Sequence, residues 1–400
     1  MIQAPVLTSL GICCSLGMNK VDVWQQAACG SLAGMHWRHD LLADGSAVVV
    51  GDVVETLVDL SDQPFTEQSR NNQLAATAYA QIADDVEIAK RQFGRDRVAV
   101  VIGTSTSGIA AGETAMLAKL QQGQWPENFD YRQQEMAAPA LFLAKLAQVD
   151  GPTFAVSTAC SSSARALMTA RNLLETNLAD AVIVGGVDSL CRMTLRGFTA
   201  LESVSAGYCK PFAQDRDGIN IGEAAALFLL QREPLPNSAA VIRLSGCGAS
   251  ADAYHMSAPH PQGEGAERAI HQALLQASID VNELSYINAH GTATPLNDAM
   301  EALALHRLGA GGIPISSSKA ITGHTLGAAG ALEAALCWLM LSEYNPNQAL
   351  IPQVFSTNPD PQLPPLHFAR GLSPRPLRHC LSNSFAFGGN NMAIILSKDL

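Results

Sequence analysis

The sequence predicts an α/β protein made of two related halves, and three observations predict it. Strand-length apolar runs, above all Val98-Ala99-Val100-Val101-Ile102 and Ala181-Val182-Ile183-Val184, alternate with helix-periodic stretches. Such alternation builds mostly parallel sheets with helices packed on them. A chain of 400 residues exceeds the usual size of one core, so two domains or fused halves are expected. The halves also echo each other. Gly103-Thr104-Ser105-Thr106 follows one strand, and Gly291-Thr292-Ala293-Thr294 follows another much later.

Taken in order, Val6 to Cys13 is an opening strand with a glycine break, and Val21 to Ala28 a short helix. Ala47 to Val54 is strand-like. Ser69 to Arg91 forms one long helix, with Leu74, Ala78, Ile82 and Ile88 apolar. Gly103 to Gly108 is a turn and Met136 to Gln148 a helix. Thr153 to Val156 is a strand that feeds a helix whose apolar face carries Ala164, Leu167, Met168 and Leu174. Lys210 to Gly222 reads as a structured loop and Ala224 to Gln231 as a strand. Glu233-Pro234-Leu235-Pro236-Asn237 marks the boundary, dividing the chain into halves 1–236 and 237–400.

The second half restarts the pattern. Val241 to Gly246, Ser285 to Asn288 and Ile313 to Ser316 are strands. Gly265 to Ala277, Asp298 to Leu308 and Ala331 to Glu343 are helices. Lys319 to Gly330 is a glycine-rich turn. Cys380 to Ser384 and Met392 to Leu396 close the chain as paired strands.

Composition excludes several classes. A net charge of −11 opposes nucleic-acid binding and means that an acidic protein partner needs a local basic patch. Nine cysteines, odd in number and without a Cys-x-x-Cys pair, fit a reducing cytoplasm rather than a disulfide scaffold. No cationic, apolar leader opens the sequence, and its longest apolar run is too short to span a bilayer. No Gly-x-Gly-x-x-Gly opens a helix, and Gly103 to Gly108 does not match the Gly-x-Ser-x-Gly of a hydrolase elbow.

Three stretches carry candidate chemistry. Cys160 lies where a strand feeds a helix N-terminus, in Thr158-Ala159-Cys160-Ser161-Ser162-Ser163. Unpaired N–H groups and the helix dipole there favour a thiolate, the nucleophilic form. The competing reading is a small buried hydrophobe. His290 follows a strand end, where ligand sites collect in α/β folds, and His324 stands at the mouth of a helix. Each is otherwise an ordinary histidine. Metal binding is disfavoured by the lack of close His-x-x-His or Cys-x-x-Cys spacing.

Together these stretches resemble the elongating β-ketoacyl-acyl-carrier-protein synthases. The matching blocks are Thr158 to Ser162, Asn288-Ala289-His290-Gly291-Thr292-Ala293-Thr294-Pro295-Leu296-Asn297-Asp298, and Lys319-Ala320-Ile321-Thr322-Gly323-His324. Asp252 to Met256 and Asn383-Ser384-Phe385-Ala386-Phe387-Gly388-Gly389-Asn390 resemble further blocks, so the likeness spans essentially the whole chain.

The resemblance implies a thiolase-type fold, two βαβαβαββ halves in a five-layer α-β-α-β-α sandwich. It implies a decarboxylating Claisen condensation without cofactor or metal. In it Cys160 carries the acyl chain, and His290 and His324 stabilise the enolate made from a malonyl thioester. Lys319 and Glu333 match a charged pair near His324. Thr292 and Thr294 match residues that bond the pantetheine arm. Asp298 and Phe385 fall in the substrate-binding blocks, and Phe387 matches a gate over the acyl pocket. The backbone N–H groups of Cys160 and Phe387 match an oxyanion hole. The implied partners are acyl carrier protein, met by Arg70, Arg192, Arg196 and Lys210, and a second subunit. That subunit is either an identical copy or a homologue of the chain-length-factor type.

Departures narrow this. The second histidine sets the chain apart from the priming synthases, which have Asn there, and Cys160 sets it apart from the inactive chain-length factors. Ser161-Ser162-Ser163 and the 103–107 loop differ from housekeeping fatty-acid enzymes. They leave room for polyketide or aryl-polyene synthesis, and for a partner-dependent or non-catalytic subunit.

Overall fold

The computed structural model describes residues 3–42, 44–235, 240–355 and 358–399. The first half opens with β1 (Val6–Cys14), α1 (Lys20–Cys29) and a small side sheet begun by β2 (Met35–Arg38) and β3 (Val48–Gly51). Then come α2 (Arg70–Tyr79), α3 (Ala83–Phe93), β4 (Val98–Gly103), α4 (Ile109–Gln122), α5 (Ala138–Ala147) and β5 (Thr153–Val156). They are followed by α6 (Ser162–Glu175), β6 (Ala181–Asp188), α7 (Arg192–Ala200), β7 (Ile221–Gly222), which completes the side sheet, and β8 (Ala224–Gln231).

The second half holds β9 (Ile242–Ala251), α8 (Glu264–Ala277), β10 (Tyr286–Asn288), α9 (Pro295–Arg307) and β11 (Ile315–Ser316). After these come α10 (Lys319–Thr322), α11 (Ala329–Leu341), β12 (His379–Ala386) and β13 (Asn390–Lys398). Pro236 and Asn237, where the sequence places the boundary, lie outside the described residues.

Strand order runs β5-β4-β6-β8-β1 in the first half and β11-β10-β12-β13-β9 in the second. Numbered within its own half, each sheet reads third, second, fourth, fifth, first. The two sheets meet edge to edge where Val6 stands opposite Arg243. Each has two parallel and two antiparallel pairings, so the sheets are mixed rather than mostly parallel. The last strand of each half doubles back on the fourth, and the first strand pairs antiparallel with that last one.

Three apolar clusters define five layers. α2, α3 and α5 cover the outer face of the first sheet, and α8 and α9 cover the outer face of the second. α6 and α11 lie between the sheets. β4 illustrates the arrangement: Val98, Val100 and Ile102 face outward, while Ala99 and Val101 face the central layer. α11 is apolar all round and wholly buried, as a helix sandwiched between sheets must be, and Glu333 is its one charged residue. It approaches α6 closely. A Cβ on Gly330 would stand 2.7 Å from the backbone nitrogen of Ala164.

Two elements differ from the sequence reading for local reasons. The helix expected over 69–91 breaks at Ala80 to Ile82. Gln81 turns its side chain to the backbone of Ile12 and Met18, and that tie to β1 replaces helical continuity. α4 and α7 were not expected as helices. α7 contains Gly197 and two threonines, a poor helix composition, and its N-terminal N–H groups at Arg192 and Met193 are held by Glu113 of α4.

Candidate active site

Cys160 and His324 follow the third strands of the two halves, His290 follows the second strand of its half, and the three share one pocket. Cys160 sits between β5 and α6, with Ala159 before it at φ 53°, a left-handed conformation unusual for alanine. His290 follows β10, and His324 follows α10 beyond β11. Phe198, Ser203, Ile219, Thr292, Thr294, Asn297, Phe385 and Phe387 complete the lining. The open volume is about 10 Å³, room for roughly one water. Phe387 packs against Phe198 of α7 with ring centroids 5.5 Å apart, and both line the pocket.

Electrostatics here differ from what the helix N-terminus alone suggests. Burial pushes the Cys160 thiol up to about 11. The Lys319 ammonium and the backbone N–H groups of Phe387 and of Cys160 itself pull it back only in part. The resting side chain is therefore a neutral thiol, not the thiolate that its position predicts. Both N–H groups expected to form the oxyanion hole are aimed at this sulfur.

The imidazoles stand at 86° to each other with ring centroids 5.6 Å apart. Burial, and then the charge of Lys319, hold both well below the usual histidine range, so both are neutral at pH 7. Their tautomers follow from their neighbours. Leu326 N–H approaches His324 Nδ1 at 3.3 Å, and Lys319 Nζ approaches His290 Nδ1 at 3.4 Å. Each Nδ1 thus faces a donor, and each Nε2 carries the proton. His324 Nε2 is buried without a hydrogen-bond partner among the described residues.

Lys319 Nζ donates to the carbonyl of His290 at 2.6 Å and to Glu333, both ends of the pair being buried. Its bonds go to His290, and it reaches His324 through charge alone. Burial raises the Glu333 carboxyl to about 7, with the ammonium opposing. Glu301, which the sequence reading did not single out, accepts from the N–H groups of His290 and Gly291 at 2.9 and 2.7 Å and from Asn383. Its only sequence signal is an acidic residue eleven positions after the histidine, on the helix that follows.

Other expected site residues divide. Thr292, Thr294, Phe385 and Phe387 line the pocket, Thr292 and Thr294 with their hydroxyls 2.9 Å apart. Asp298 is wholly buried and does not line it. Its carboxylate accepts from the N–H groups of Phe212 at 2.7 Å and Ala293 at 3.1 Å, and the neighbouring Asn297 faces the pocket instead. Arg70 donates to the buried Glu223 and to the carbonyl of Val53. Lys210 pairs with exposed Asp215. Arg192 and Arg196 border an open groove of about 720 Å³ between α4 and α7, with Met116, Leu117 and Leu120. Among the described residues, no cluster of three or more His, Cys, Asp or Glu could hold a metal, and no helix is long and apolar enough to cross a membrane.

The family models that match are the β-ketoacyl synthase N-terminal domain over residues 8–235 and its C-terminal domain over 240–351. A ketosynthase (ApeO) from Xenorhabdus doucetiae, solved in complex with its chain length factor (ApeC), is 44% identical with a TM-score of 0.93. The match covers 99% of this chain and 98% of that one. A β-ketoacyl synthase from Burkholderia phymatum is 25% identical with a TM-score of 0.85, and all of both chains is covered. A 3-oxoacyl-[acyl-carrier-protein] synthase 2 from Synechocystis is 30% identical, covering 98% of this chain and 97% of its own.

Proposed function

Because the chain belongs to the β-ketoacyl synthase family, we propose a residue-by-residue account of how it carries out that family's condensation. The enzyme joins an acyl chain to the two-carbon unit of malonyl-acyl-carrier protein with loss of carbon dioxide, giving a 3-oxoacyl product. The observation that carries the account is the single small pocket shared by one thiol and two neutral imidazoles, with His324 Nε2 left without a hydrogen-bond partner among the described residues.

Cys160 Sγ attacks the acyl thioester, and the negative oxygen of the tetrahedral intermediate falls to the N–H groups of Cys160 and Phe387. The carrier thiol leaves with the proton that Cys160 loses, so the exchange is neutral overall. The neutral starting thiol suits this, because no charge needs to be stored in the closed site before substrate enters.

The malonyl thioester then binds with its carbonyl oxygen at the two Nε2–H donors. Carbon dioxide departs, and the electron pair of the broken bond becomes an enolate held by His290 and His324. A protonated imidazole could surrender its proton to the carbanion, whereas a neutral one stabilises without quenching. Burial, aided by the charge of Lys319, keeps both rings neutral, and Glu333 holds Lys319 in place. The enolate carbon attacks the acyl-Cys160 carbonyl, the sulfur is expelled as thiolate carrying the charge of the lost carboxylate, and it takes one proton from solvent as the product leaves. Exclusion of water by Phe387 and Phe198 protects the carbanion, and Thr292 and Thr294 bond the pantetheine arm.

For pathway and assembly, we place the enzyme in polyketide-type elongation, of which aryl-polyene synthesis is an example, acting with a chain-length-factor-like partner. The support is the 44% identity to a ketosynthase solved with such a factor, against 30% to a 3-oxoacyl-acyl-carrier-protein synthase 2. Exposed Met116, Leu117 and Leu120 give a partner apolar surface to cover. Arg192 and Arg196 face the acidic carrier protein. The site of action is the cytoplasm.

Intact-mass measurement after incubation with acyl-carrier proteins tests the account. A gain of one acyl group is expected on the wild type and none on Cys160→Ala. Absence of any gain, alone and with a co-expressed partner, would leave the chain a non-catalytic subunit.

A further inference from the structure

We propose that Asp188 is a positioning residue that locks the Cys160 corner of one half to the His324 corner of the other; this rests on the roles given to Cys160 and His324 above. Asp188 ends β6 and is fully buried. Its Oδ1 accepts from the Thr104 and Thr106 hydroxyls, each at 2.7 Å, and from the backbone N–H of Thr106 at 2.7 Å. The N–H of Ser105 is shared between its two oxygens at 2.9 and 3.0 Å. Its Oδ2 also accepts from the N–H of Ala328 at 3.1 Å.

Two arms leave this carboxylate. Through the 104–106 loop it reaches Ser105 Oγ, which donates to the carbonyl of Ala159, the left-handed residue that aims Cys160. Through Ala328 it fixes the 326–328 turn, whose Leu326 N–H approaches His324 Nδ1 and so leaves the proton on Nε2. The negative charge also sits at the N-terminus of α11, where the helix dipole favours it. Every contact is a donor facing the carboxylate, so an amide cannot replace it without turning an N–H₂ toward one of them. Packing enforces the same register. A Cβ on Gly327 would lie 2.6 Å from Asp188 Oδ2 and 2.7 Å from the Ser105 nitrogen.

The test combines Asp188→Asn with Gly327→Ala, which wedges the same clasp open while keeping the charge. Histidine side chains are labelled with nitrogen-15. In the wild type His324 should show a protonated Nε2 and a bare Nδ1; in either variant the two tautomers should mix. Malonyl-carrier decarboxylation should lose at least tenfold in kcat, with KM within twofold of the wild type. A role limited to stability would lower the melting temperature but leave tautomer and kcat unchanged well below it, and that result in a folded variant overturns the proposal. Should Asp188→Asn not fold, Gly327→Ala decides alone. The tautomer readout needs no turnover, so a wild type with the expected tautomer but no decarboxylation would count against the assigned reaction and not against the clasp.

Discussion

The two halves share one strand order and nearly one loop sequence, yet use it in opposite ways. After the second strand of the first half, Thr104 and Thr106 turn inward, and both hydroxyls go to buried Asp188. After the second strand of the second half, Thr292 and Thr294 turn to the pocket. The third strands diverge likewise. One leads to a thiol at a helix N-terminus, the other to an imidazole. The repeated strand order gives the halves equivalent corners that meet in one pocket. On the roles proposed above, one corner acts covalently and the other electrostatically, with the Asp188 carboxylate joining the two.

The largest effects should separate the halves cleanly. Cys160→Ala removes the acyl-enzyme, and condensation should fall by at least about 10³-fold, as when a nucleophile is deleted. Malonyl decarboxylation should survive in that variant. His290→Ala and His324→Ala should each do the reverse. Acyl loading persists by intact mass, and decarboxylation drops by about 10²- to 10³-fold, the usual cost of losing an oxyanion donor. Loss of both half-reactions in all three variants would break the division of labour.

Acidity should divide the halves next. An ordinary imidazole titrates at about 6.5 and would be roughly nine-tenths protonated at pH 5.5. Both histidines are held well below that value, so they stay neutral as pH falls through 6.5. The nitrogen-15 shifts of both rings should therefore remain those of neutral imidazoles from pH 7.5 to 5.5, a readout separate from the rate, which also feels the Glu333 carboxyl that burial raises to about 7; imidazolium shifts at pH 5.5 would show that the rings charge. Cys160 behaves oppositely, because burial raises it. Alkylation of Cys160 by iodoacetamide, read by mass, should keep rising with pH through 9 and toward about 11. A plateau by pH 8 would show an activated thiolate instead.

Much of this was legible in the sequence because it is written in local pattern. Apolar runs gave the buried strands, and the Gly-Thr-x-Thr echo lies at the same topological position in both halves. The protonation of Cys160 was not legible. Position at a helix N-terminus is local, but the burial that outweighs it comes from a pocket whose other lining residues are distant in sequence. Glu301 and Asp188 were missed for a related reason. An acidic residue near the end of a strand or inside a helix looks like any other until the backbone N–H groups converging on it are seen. Arg70 and Asp298 show the converse. Their residue types suggest binding, yet the fold commits the first to Glu223 and the second to backbone N–H groups.

The smallest expected effects test the comparison at its origin, one methyl-for-hydroxyl exchange in each half. In Thr104→Val, a buried hydroxyl that donates to Asp188 at 2.7 Å and accepts from Ser107 N–H at 3.0 Å is lost, and both partners stay buried. Stranding buried partners costs about 1–3 kcal/mol, so the variant should melt several degrees lower with KM for acyl-carrier protein unchanged. In Thr292→Val, the lost hydroxyl is bonded, among the described residues, to Thr294 alone. Nothing buried is stranded except where substrate sits, so the melting temperature should hold. KM should rise by about fivefold, the equivalent of roughly 1 kcal/mol. The two residues are near-equivalents by sequence, so any difference between the variants comes from which way each hydroxyl faces. If Thr104→Val raised KM and Thr292→Val lowered the melting temperature, the inward and outward assignment of the two corners would be reversed.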